Sequence, residues 1–395
     1  MAELIAENEF GTYETEISVL PLNIKEARWT DKGGKEINCL LYGVKEVYVS
    51  IDLHNSCKNK RIRIAFKKYN SVLPNTDIKA IPYSVSNDEL NQLLPVTFNI
   101  DDYVKHDEQD SGEYIFEITI DKEEYKPKKK LKVHAVIYIP EIMTSFGWKV
   151  ATQSQIDWFN GKANNYPWER APIVPGLSIE WALKFERVKR RYDEIKDMWK
   201  TTNAIIQLKK EIKKMVGKGY ANIPSTVGQK TNFGTFNVEP ILEELRNHKE
   251  VEGGKAKEKF PTFDYFHFQD QVYEESTFSD LDDFYGSIAN CNFRFVAKGY
   301  LEKQKDNSIL ATITQIGIYL RDGFDYVGNQ QLGYWSLKEK KVSRNPFSNP
   351  FTKDTYRLID NKSYRDYRKD SGMGGDFYRY SDIKIMSVNH QFIYE

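Results

Sequence analysis

The sequence has few of the residues that mark a secreted, metal-binding or nucleic-acid-binding protein. Its three cysteines, Cys39, Cys57 and Cys291, are widely spaced and match neither a zinc site nor a disulfide framework. Basic and acidic residues number 57 each, so no net charge favours nucleic acid or an anionic membrane. We therefore expect folding in a reducing cytoplasm and no nucleic-acid partner.

Long apolar runs and nucleotide-binding loops are also missing. No segment approaches the roughly 18 apolar residues of a membrane helix. The N-terminal stretch MAELIAENEFGTY lacks the basic start and the apolar run of a signal peptide. No GxGxxG or GxxxxGK[ST] loop is present, which argues against dinucleotide or nucleoside triphosphate binding. These absences predict a protein made in the cytoplasm, without a signal peptide or a transmembrane segment.

The first part of the chain has the pattern of a β domain after a polar entry segment at residues 1–35. Residues 47–53 and 61–66 alternate between apolar and polar side chains, as half-buried strands do. Turn-rich loops separate these segments from further β-favouring ones. The additional predicted strands are 96–100, 114–120 and 131–139. Short strands joined in this way predict an immunoglobulin-like β-sandwich over residues 36–142.

The remainder of the chain predicts a larger α+β domain at residues 179–395. Residues 143–178 carry several tryptophans and should form an ordered strap rather than a polar linker. From Ser178 to Gly217, apolar residues recur every three or four positions, which predicts one long amphipathic helix, with a break near Thr201 as an alternative. A short helix is expected at 238–247. Strands at 290–300 and 309–320 should pair as an antiparallel hairpin. The fold class is therefore α+β.

The most specified stretch is residues 312–335, where a buried strand is expected to break at Arg321. Asp322 and Asp325 follow, and two carboxylates at one strand end would share a small volume. Such crowding raises one pKa, as in catalytic acids and metal sites. The alternative is a polar turn, because Asp-Gly is common in hairpins. Spacing alone favours the turn.

A second polar group occurs near the C-terminus. Arg365 and Arg368 lie in the segment NKSYRDYR, and a glycine run follows at residues 372–375. We expect this run to form a turn that presents Asp376 and Asp382.

Five sequence blocks resemble an uncharacterised bacterial family that is found beside type VI secretion genes. The blocks are Trp158 with Phe159, then residues 185–192, 293–299, 318–335 and 361–382. The resemblance covers roughly residues 145–395. It implies either an effector delivered into a target cell or an accessory of the secretion machine. The implied partners are a secretion spike or chaperone, or an immunity protein.

A weaker resemblance is to colicin-M-type lipid II phosphodiesterases, whose motif is Asp-x-Tyr-Asp. Asp322 and Asp325 occupy the acidic positions, but Phe324 replaces the tyrosine and Leu332 stands where an arginine is expected. The resemblance implies that one aspartate binds Mg²⁺ or acts as a base. It further implies that Arg365 or Arg368 steadies the pyrophosphate charge, with Asp376 or Asp382 nearby.

Two functions follow from these resemblances. The first is an antibacterial effector that cleaves an envelope phosphate ester such as lipid II, and it requires Asp322 and Asp325 in an open cleft. The alternative is a non-enzymatic cargo, adaptor or structural accessory protein that docks through its N-terminal domain. In that case Asp322 should be locked in a turn by backbone N–H groups, with no cleft beside it.

Overall fold

The structure is a computed structural model, and it describes most of the chain. The residues described are 2–8, 11–17, 24–54, 60–71, 74–84, 91–97, 111–120, 122–246, 255–275, 280–344 and 356–394.

The described residues form both strands and helices, with strands the more abundant, which confirms the predicted α+β class. The strands are β1 (Ala2–Asn8), β2 (Gly11–Ile17), β3 (Ile24–Thr30), β4 (Glu46–Leu53), β5 (Arg61–Lys68), β6 (Thr76–Ser84), β7 (Asn91–Thr97), β8 (Ser111–Ile120), β9 (Glu123–Tyr125), β10 (Leu131–His134), β11 (Ile173–Leu177), β12 (Lys230–Phe233), β13 (Pro240–Arg246), β14 (Lys255–Pro261), β15 (Gln269–Tyr273), β16 (Cys291–Lys303), β17 (Ile309–Phe324), β18 (Gln331–Ser336), β19 (Lys341–Ser343), β20 (Arg357–Asp360), β21 (Phe377–Ser381) and β22 (Lys384–Tyr394). The α-helices are α1 (Ile139–Ser145), α2 (Lys149–Asn160), α3 (Ile179–Ala182), α4 (Glu186–Ile195), α5 (Thr202–Gly217), α6 (Thr262–Tyr265), α7 (Asp283–Ser287) and α8 (Asn361–Ser371).

The chain divides into two compact units. The first unit joins Met1–Ile142 to Gly328–Met373, and the second joins Met143–Val327 to Gly374–Glu395. The sequence pattern groups residues 328–373 with the C-terminal domain instead. They fall in the first unit because α8 contacts β10: Asp370 accepts hydrogen bonds from Lys132 Nζ at 3.1 Å and lies 2.9 Å from His134 Nε2. The predicted entry segment and aromatic strap stay predictions.

The first unit contains two antiparallel sheets that share an aromatic core. One sheet has the order β3-β4-β7 and the other β10-β8-β5-β6, with β9 beside β8. Trp29 of β3 contacts Phe66 of β5 and Phe116 of β8, with ring centroids 5.8 and 5.0 Å apart. The alternating strands predicted around residues 47–53 and 61–66 are confirmed. The immunoglobulin-like topology is a prediction that these sheets do not confirm.

The second unit is built on a seven-stranded sheet. Its order is β11-β21-β17-β16-β12, with β15 beside β16 and β22 beside β17. The predicted antiparallel hairpin is confirmed as β16 and β17. Helices α4 and α5 bury apolar side chains in the same core as one face of this hairpin. The core includes Val188, Tyr192, Leu208, Ile212, Phe293, Phe295, Ile316 and Ile318.

The predicted long helix is wrong as a single element. Phe185 has an extended backbone before α4, and Thr201 is extended before α5, so the helical hydrogen bonds are interrupted at both points. The Thr201 side chain then accepts a hydrogen bond from the Ala204 backbone, which caps α5. The break near Thr201 is therefore confirmed, and three α-helices with a short 3₁₀ turn replace the one that was predicted.

Two other local predictions are wrong. Residues 238–247 were expected to be helical, but residues 240–246 form β13, which pairs with β14, and position 247 lies outside the described residues. The strand expected at 131–139 ends at His134, and a 3₁₀ turn leads into α1. Short apolar runs do not distinguish a buried strand from a buried helix, which explains the second error. Positions 98–100 of the predicted strand at 96–100 lie outside the described residues.

No helix among the described residues combines the length and apolar character that are needed to cross a membrane.

Candidate functional site

The pleat of the central sheet separates two clusters of polar side chains in the second unit. Arg321 of β17 lies opposite Tyr380 of β21, and the next residue, Asp322, lies opposite Arg379. Because successive side chains in a strand point to opposite faces, these pairs lie on different sides of the sheet. We name them the Asp322 cluster and the Asp264 cluster after the acid in each.

The Asp322 cluster is a buried ion pair held by hydroxyl and carbonyl groups. Arg379 Nη2 lies 3.6 Å from Asp322 Oδ2. The Arg379 guanidinium also donates hydrogen bonds to the Ser154 hydroxyl of α2 and to the Ser287 carbonyl of α7. Asp322 is 8% exposed and Arg379 is 2% exposed. The pair is therefore part of the interior of this unit.

Burial controls the titration of this cluster. It raises the pKa of Asp322 to about 7, although Arg379 acts in the opposite direction and Asp325 adds to the rise. Burial also lowers the pKa of Arg379 and raises that of the neighbouring Cys291 thiol. A raised carboxyl pKa was expected at this position, but its main cause is burial rather than crowding by the second aspartate.

Asp325 lies in a different environment from Asp322. Strand β17 continues through Phe324, so it does not break at Arg321 as predicted. Asp325 follows the strand, is exposed, and accepts a hydrogen bond from the Val327 backbone at 3.2 Å. A Cβ atom built on Gly323 would lie 3.3 Å from Asp325 Oδ2. Gly323 faces the same side of the sheet as Arg321, so the Asp325 carboxylate lies on that side. The two acids do not emerge together, because one is buried and the other is exposed.

Asp376 is buried and engaged with α2 and the segment after it. Trp158 Nε1 donates to Asp376 Oδ1 at 2.8 Å, and Asn164 pairs with the Asp376 backbone through both its amide atoms. The glycine run before it packs tightly. Gly374 has a φ of 99°, and a Cβ there would lie 2.4 Å from the Trp158 ring. The prediction that this turn presents Asp376 is wrong, because Asp376 is buried. The glycines serve to pack the turn against Trp158.

Asp382 is exposed and caps a helix. Its Oδ1 accepts a hydrogen bond of 2.6 Å from the backbone of Ile179, the first residue of α3. Ser178, which the sequence suggested as the cap, makes no capping hydrogen bond with its side chain. Asp376 and Asp382 flank the two ends of β21. Six residues of extended chain span about 20 Å, so these two acids do not serve one site.

Arg365 and Arg368 belong to the first unit, whereas the four predicted aspartates belong to the second. Both arginines lie on α8, which begins with a capping box between Asp360 and Ser363. Arg365 donates hydrogen bonds to the Gly328 carbonyl and to Asn329 Oδ1. Arg368 is partly buried. The assignment of these arginines to a pyrophosphate stays a prediction.

The Asp264 cluster is a polar centre that the sequence reasoning missed. Asp264 of α6 is 1% exposed and accepts four short hydrogen bonds. The donors are Arg294 Nη1 at 2.8 and 3.0 Å, the Tyr319 hydroxyl at 2.6 Å and the Tyr380 hydroxyl at 2.9 Å. Burial would raise the pKa of Asp264, but Arg294 and other nearby cations lower it to about 2. Asp264 is therefore a fixed, fully hydrogen-bonded anion.

A signal for this cluster is present in the sequence. Arg294 stands between two phenylalanines on β16, and Arg321 follows Tyr319 by two positions on β17. Polar residues that recur with period two in an otherwise apolar strand mark a buried polar face. Their common partner, Asp264, lies about thirty residues before Arg294, so the pattern alone did not identify it.

The Mg²⁺ site that was expected at Asp322 and Asp325 stays a prediction. Among the described residues, no group of three or more His, Cys, Asp or Glu side chains is arranged to hold a metal ion. Asp322 is already paired with Arg379, and Asp325 lies on the other side of the strand. Three open hollows of about 270 to 430 Å³ lie on the second unit, and none of the three is lined by a predicted catalytic aspartate.

Comparison with known proteins identifies the family to which the chain belongs. Residues 135–394 match the family described as DUF6402, a family of unknown function, and the chain belongs to that family. The match confirms that an uncharacterised family covers the region in which a resemblance was expected. No curated protein and no solved structure matches the chain.

The glycine run gives a prediction about stability. Gly374→Ala should lower the free energy of unfolding by about 2–5 kcal/mol, because alanine is strained in the left-handed region and overpacks the Trp158 ring. Gly372→Ala is the matched control. It has a φ of 69°, but no atom lies within 4 Å of the place its new methyl group would take, so about 1–2 kcal/mol should be lost. Urea unfolding of both variants measures the difference, and equal losses would contradict the packing role.

The Asp322–Arg379 pair predicts how the free energy of unfolding depends on pH. An aspartate ordinarily titrates near pH 4, so the unfolded chain releases this proton before the folded chain does. Unfolding should therefore become easier as the pH rises from about 4 to 7. Between pH 5 and pH 8, the wild type should lose about 2–3 kcal/mol relative to Asp322→Asn.

Urea unfolding across this pH range tests that difference. The exposed Asp197→Asn variant is the control and should follow the wild type. Parallel curves for the wild type and Asp322→Asn would show that Asp322 is ionised alike in the folded and unfolded chain.

Proposed function

We propose that this chain is a non-enzymatic accessory or cargo protein of a type VI secretion machine. In this proposal the second unit binds a partner, and the first unit, with an immunoglobulin-like pair of sheets, docks a spike or chaperone. The sequence blocks that resemble proteins encoded beside secretion genes support the link to secretion. The burial of Asp322 against Arg379 is the observation that carries the non-enzymatic role.

Three of the four predicted aspartates lack the access that phosphodiester cleavage requires. A general base must come within hydrogen-bond reach of the attacking water, and a catalytic metal must contact the substrate oxygen. Asp322 and Asp376 are buried and bonded to Arg379 and Trp158, respectively. Asp382 is engaged at the start of α3. The contacts of these three acids are those of groups that stabilise the fold.

A second candidate function, a delivered effector that acts on an envelope phosphate ester such as lipid II, has one supporting observation. Asp325 is exposed and lies on the face of the sheet that carries Arg321. An exposed acid on the same face of a sheet as an arginine is an arrangement that could act on a phosphate group. In this form of the hypothesis, Asp325 carries the reaction without Asp322.

Expression of the chain in the periplasm of a bacterial host distinguishes the two candidates. The accessory role predicts normal growth and intact lipid II for the wild type, because no acid acts on the substrate. Growth curves and extraction of lipid II measure the outcome. Growth arrest that is lost in Asp325→Asn but kept in the exposed control Asp197→Asn would favour the effector.

The link to secretion has its own test in a bacterium that carries both this chain and a type VI machine. A cargo should appear in the culture medium only when the contractile sheath is intact, whereas an accessory should be needed for release of the spike. Quantitative immunoblots of the medium from sheath-deleted and chain-deleted strains measure both. A cytoplasmic enzyme serves as the lysis control. If neither the chain nor the spike changes, the secretion role is wrong.

A further inference from the structure

The two arginines of the Asp264 cluster differ in how their charge is balanced. Arg294 makes two short bonds to Asp264, and its Nε donates to Asp270 at 2.6 Å. Arg321 has longer contacts with carboxylates: its Nη2 lies 3.5 Å from Glu258 Oε1 and its Nε lies 3.9 Å from Asp264 Oδ2. Arg294 is thus neutralised by short bonds, whereas no carboxylate in the described part of the chain lies closer to Arg321 than 3.5 Å.

Arg321 is nevertheless held in a defined position. Its guanidinium lies 4.0 Å from the centre of the Tyr378 ring, and its Nε donates to the Tyr380 hydroxyl at 3.2 Å. Both tyrosines belong to β21, which pairs with the end of β17. A planar guanidinium that is fixed by stacking is suited to bind an oxyanion through two parallel hydrogen bonds. The site is therefore preorganised.

Glu258 covers this guanidinium, although the contact is weak. The glutamate is 3% exposed, and its Oε1 makes a single long contact with Arg321. Burial raises the pKa of Glu258, and Arg321 offsets that effect only in part. A buried carboxylate needs close hydrogen bonds to balance the loss of water, and a contact of 3.5 Å provides little. A better-placed anion would therefore compete with Glu258 for Arg321.

The strand that carries Glu258 is separate from the central sheet. Strand β14 pairs with β13 in a two-stranded sheet of its own, and Glu258 lies opposite Glu243 in that register. Glu258 can leave Arg321 without breaking the hydrogen bonds among β16, β17 and β21. Two-stranded hairpins are also marginally stable by themselves, so a displacement of this kind has a small energetic cost.

We propose that Arg321, Tyr378 and Tyr380 form an oxyanion-binding site, in which Glu258 takes the place of a carboxylate from an acidic segment of a partner protein. The carboxylate is favoured because Glu258 itself shows which group the site accommodates. The exchange keeps the charge balance, since Asp264 and Asp270 offset Arg294 and Arg321, and the incoming carboxylate replaces the negative charge of Glu258. This site is independent of the secretion role, and it assigns Arg321 to a carboxylate rather than to a phosphate group.

The test uses the full-length chain and two matched probes. The first is the blocked tripeptide Gly-Glu-Gly, and the second is Gly-Gln-Gly, which lacks only the charge. Inorganic phosphate is a third probe. Glu258→Gln removes the competing charge while keeping the shape of the side chain, so it should bind the glutamate tripeptide at least about tenfold more tightly than the wild type. Calorimetric titration measures these affinities.

Two further variants control for charge and for the guanidinium. Glu302→Gln changes a partly exposed glutamate that pairs with Lys230, and its affinity should equal that of the wild type. Arg321→Lys keeps the charge but loses the planar fork, so binding should weaken at least about tenfold in the Glu258→Gln background. Circular dichroism confirms that each variant is folded.

Hydrogen exchange supplies a readout that a purely structural ion pair would not change. Addition of the glutamate tripeptide to the wild type should accelerate exchange at residues 255–261, because Glu258 is displaced. Equal affinity of Glu258→Gln and the wild type, or tight binding that survives Arg321→Lys, would overturn the proposal. If Glu258→Gln bound phosphate more tightly than the wild type but did not bind the glutamate tripeptide, the carboxylate proposal would also be overturned, in favour of a phosphate ligand.

Discussion

The alternation of side chains along β17 determines which face of the central sheet carries each polar group of that strand. Tyr319 and Arg321 face one side of the sheet, whereas Leu320, Asp322 and Phe324 face the other. Asp322 and Asp325 are also separated, because Asp325 follows the strand and its carboxylate lies on the Gly323 and Arg321 side. The same alternation joins Arg321 to the tyrosines of β21. The polar residues of β17 therefore lie in two separate clusters, one on each face of the sheet, and each cluster has different partners.

The two centres show how the number of hydrogen bonds decides the behaviour of a buried acid. Asp264 accepts four short bonds, and its pKa is lowered although it is buried. Asp322 has one cation at 3.6 Å, and its pKa is raised to about 7. Burial acts in the same direction on both acids, and the difference comes from their partners. An acidic pair in a sequence therefore does not by itself indicate catalysis.

Packing rather than chemistry explains the glycine run before β21. Gly374 leaves space for the Trp158 ring, and Gly375 leaves space for the backbone at residues 161–162. The same ring holds Asp376 through its indole N–H. These contacts are within one unit, and they connect α2 to the start of β21. Trp158 and the glycine run belong to sequence blocks on which the resemblance was based, so those blocks include residues that specify the fold.

The sequence by itself determined the α+β class, the alternating strands of the first unit, the hairpin of β16 and β17, and the break near Thr201. Each of these follows from local periodicity or capping, which acts between neighbours in the chain. The sequence did not determine the position of α8, because the bonds of Asp370 to Lys132 and His134 cross more than 230 residues. It also did not reveal the Asp264 cluster, whose members come from α6, β16, β17 and β21. Only the tertiary structure decided these points, because burial and hydrogen bonding depend on which distant segments meet.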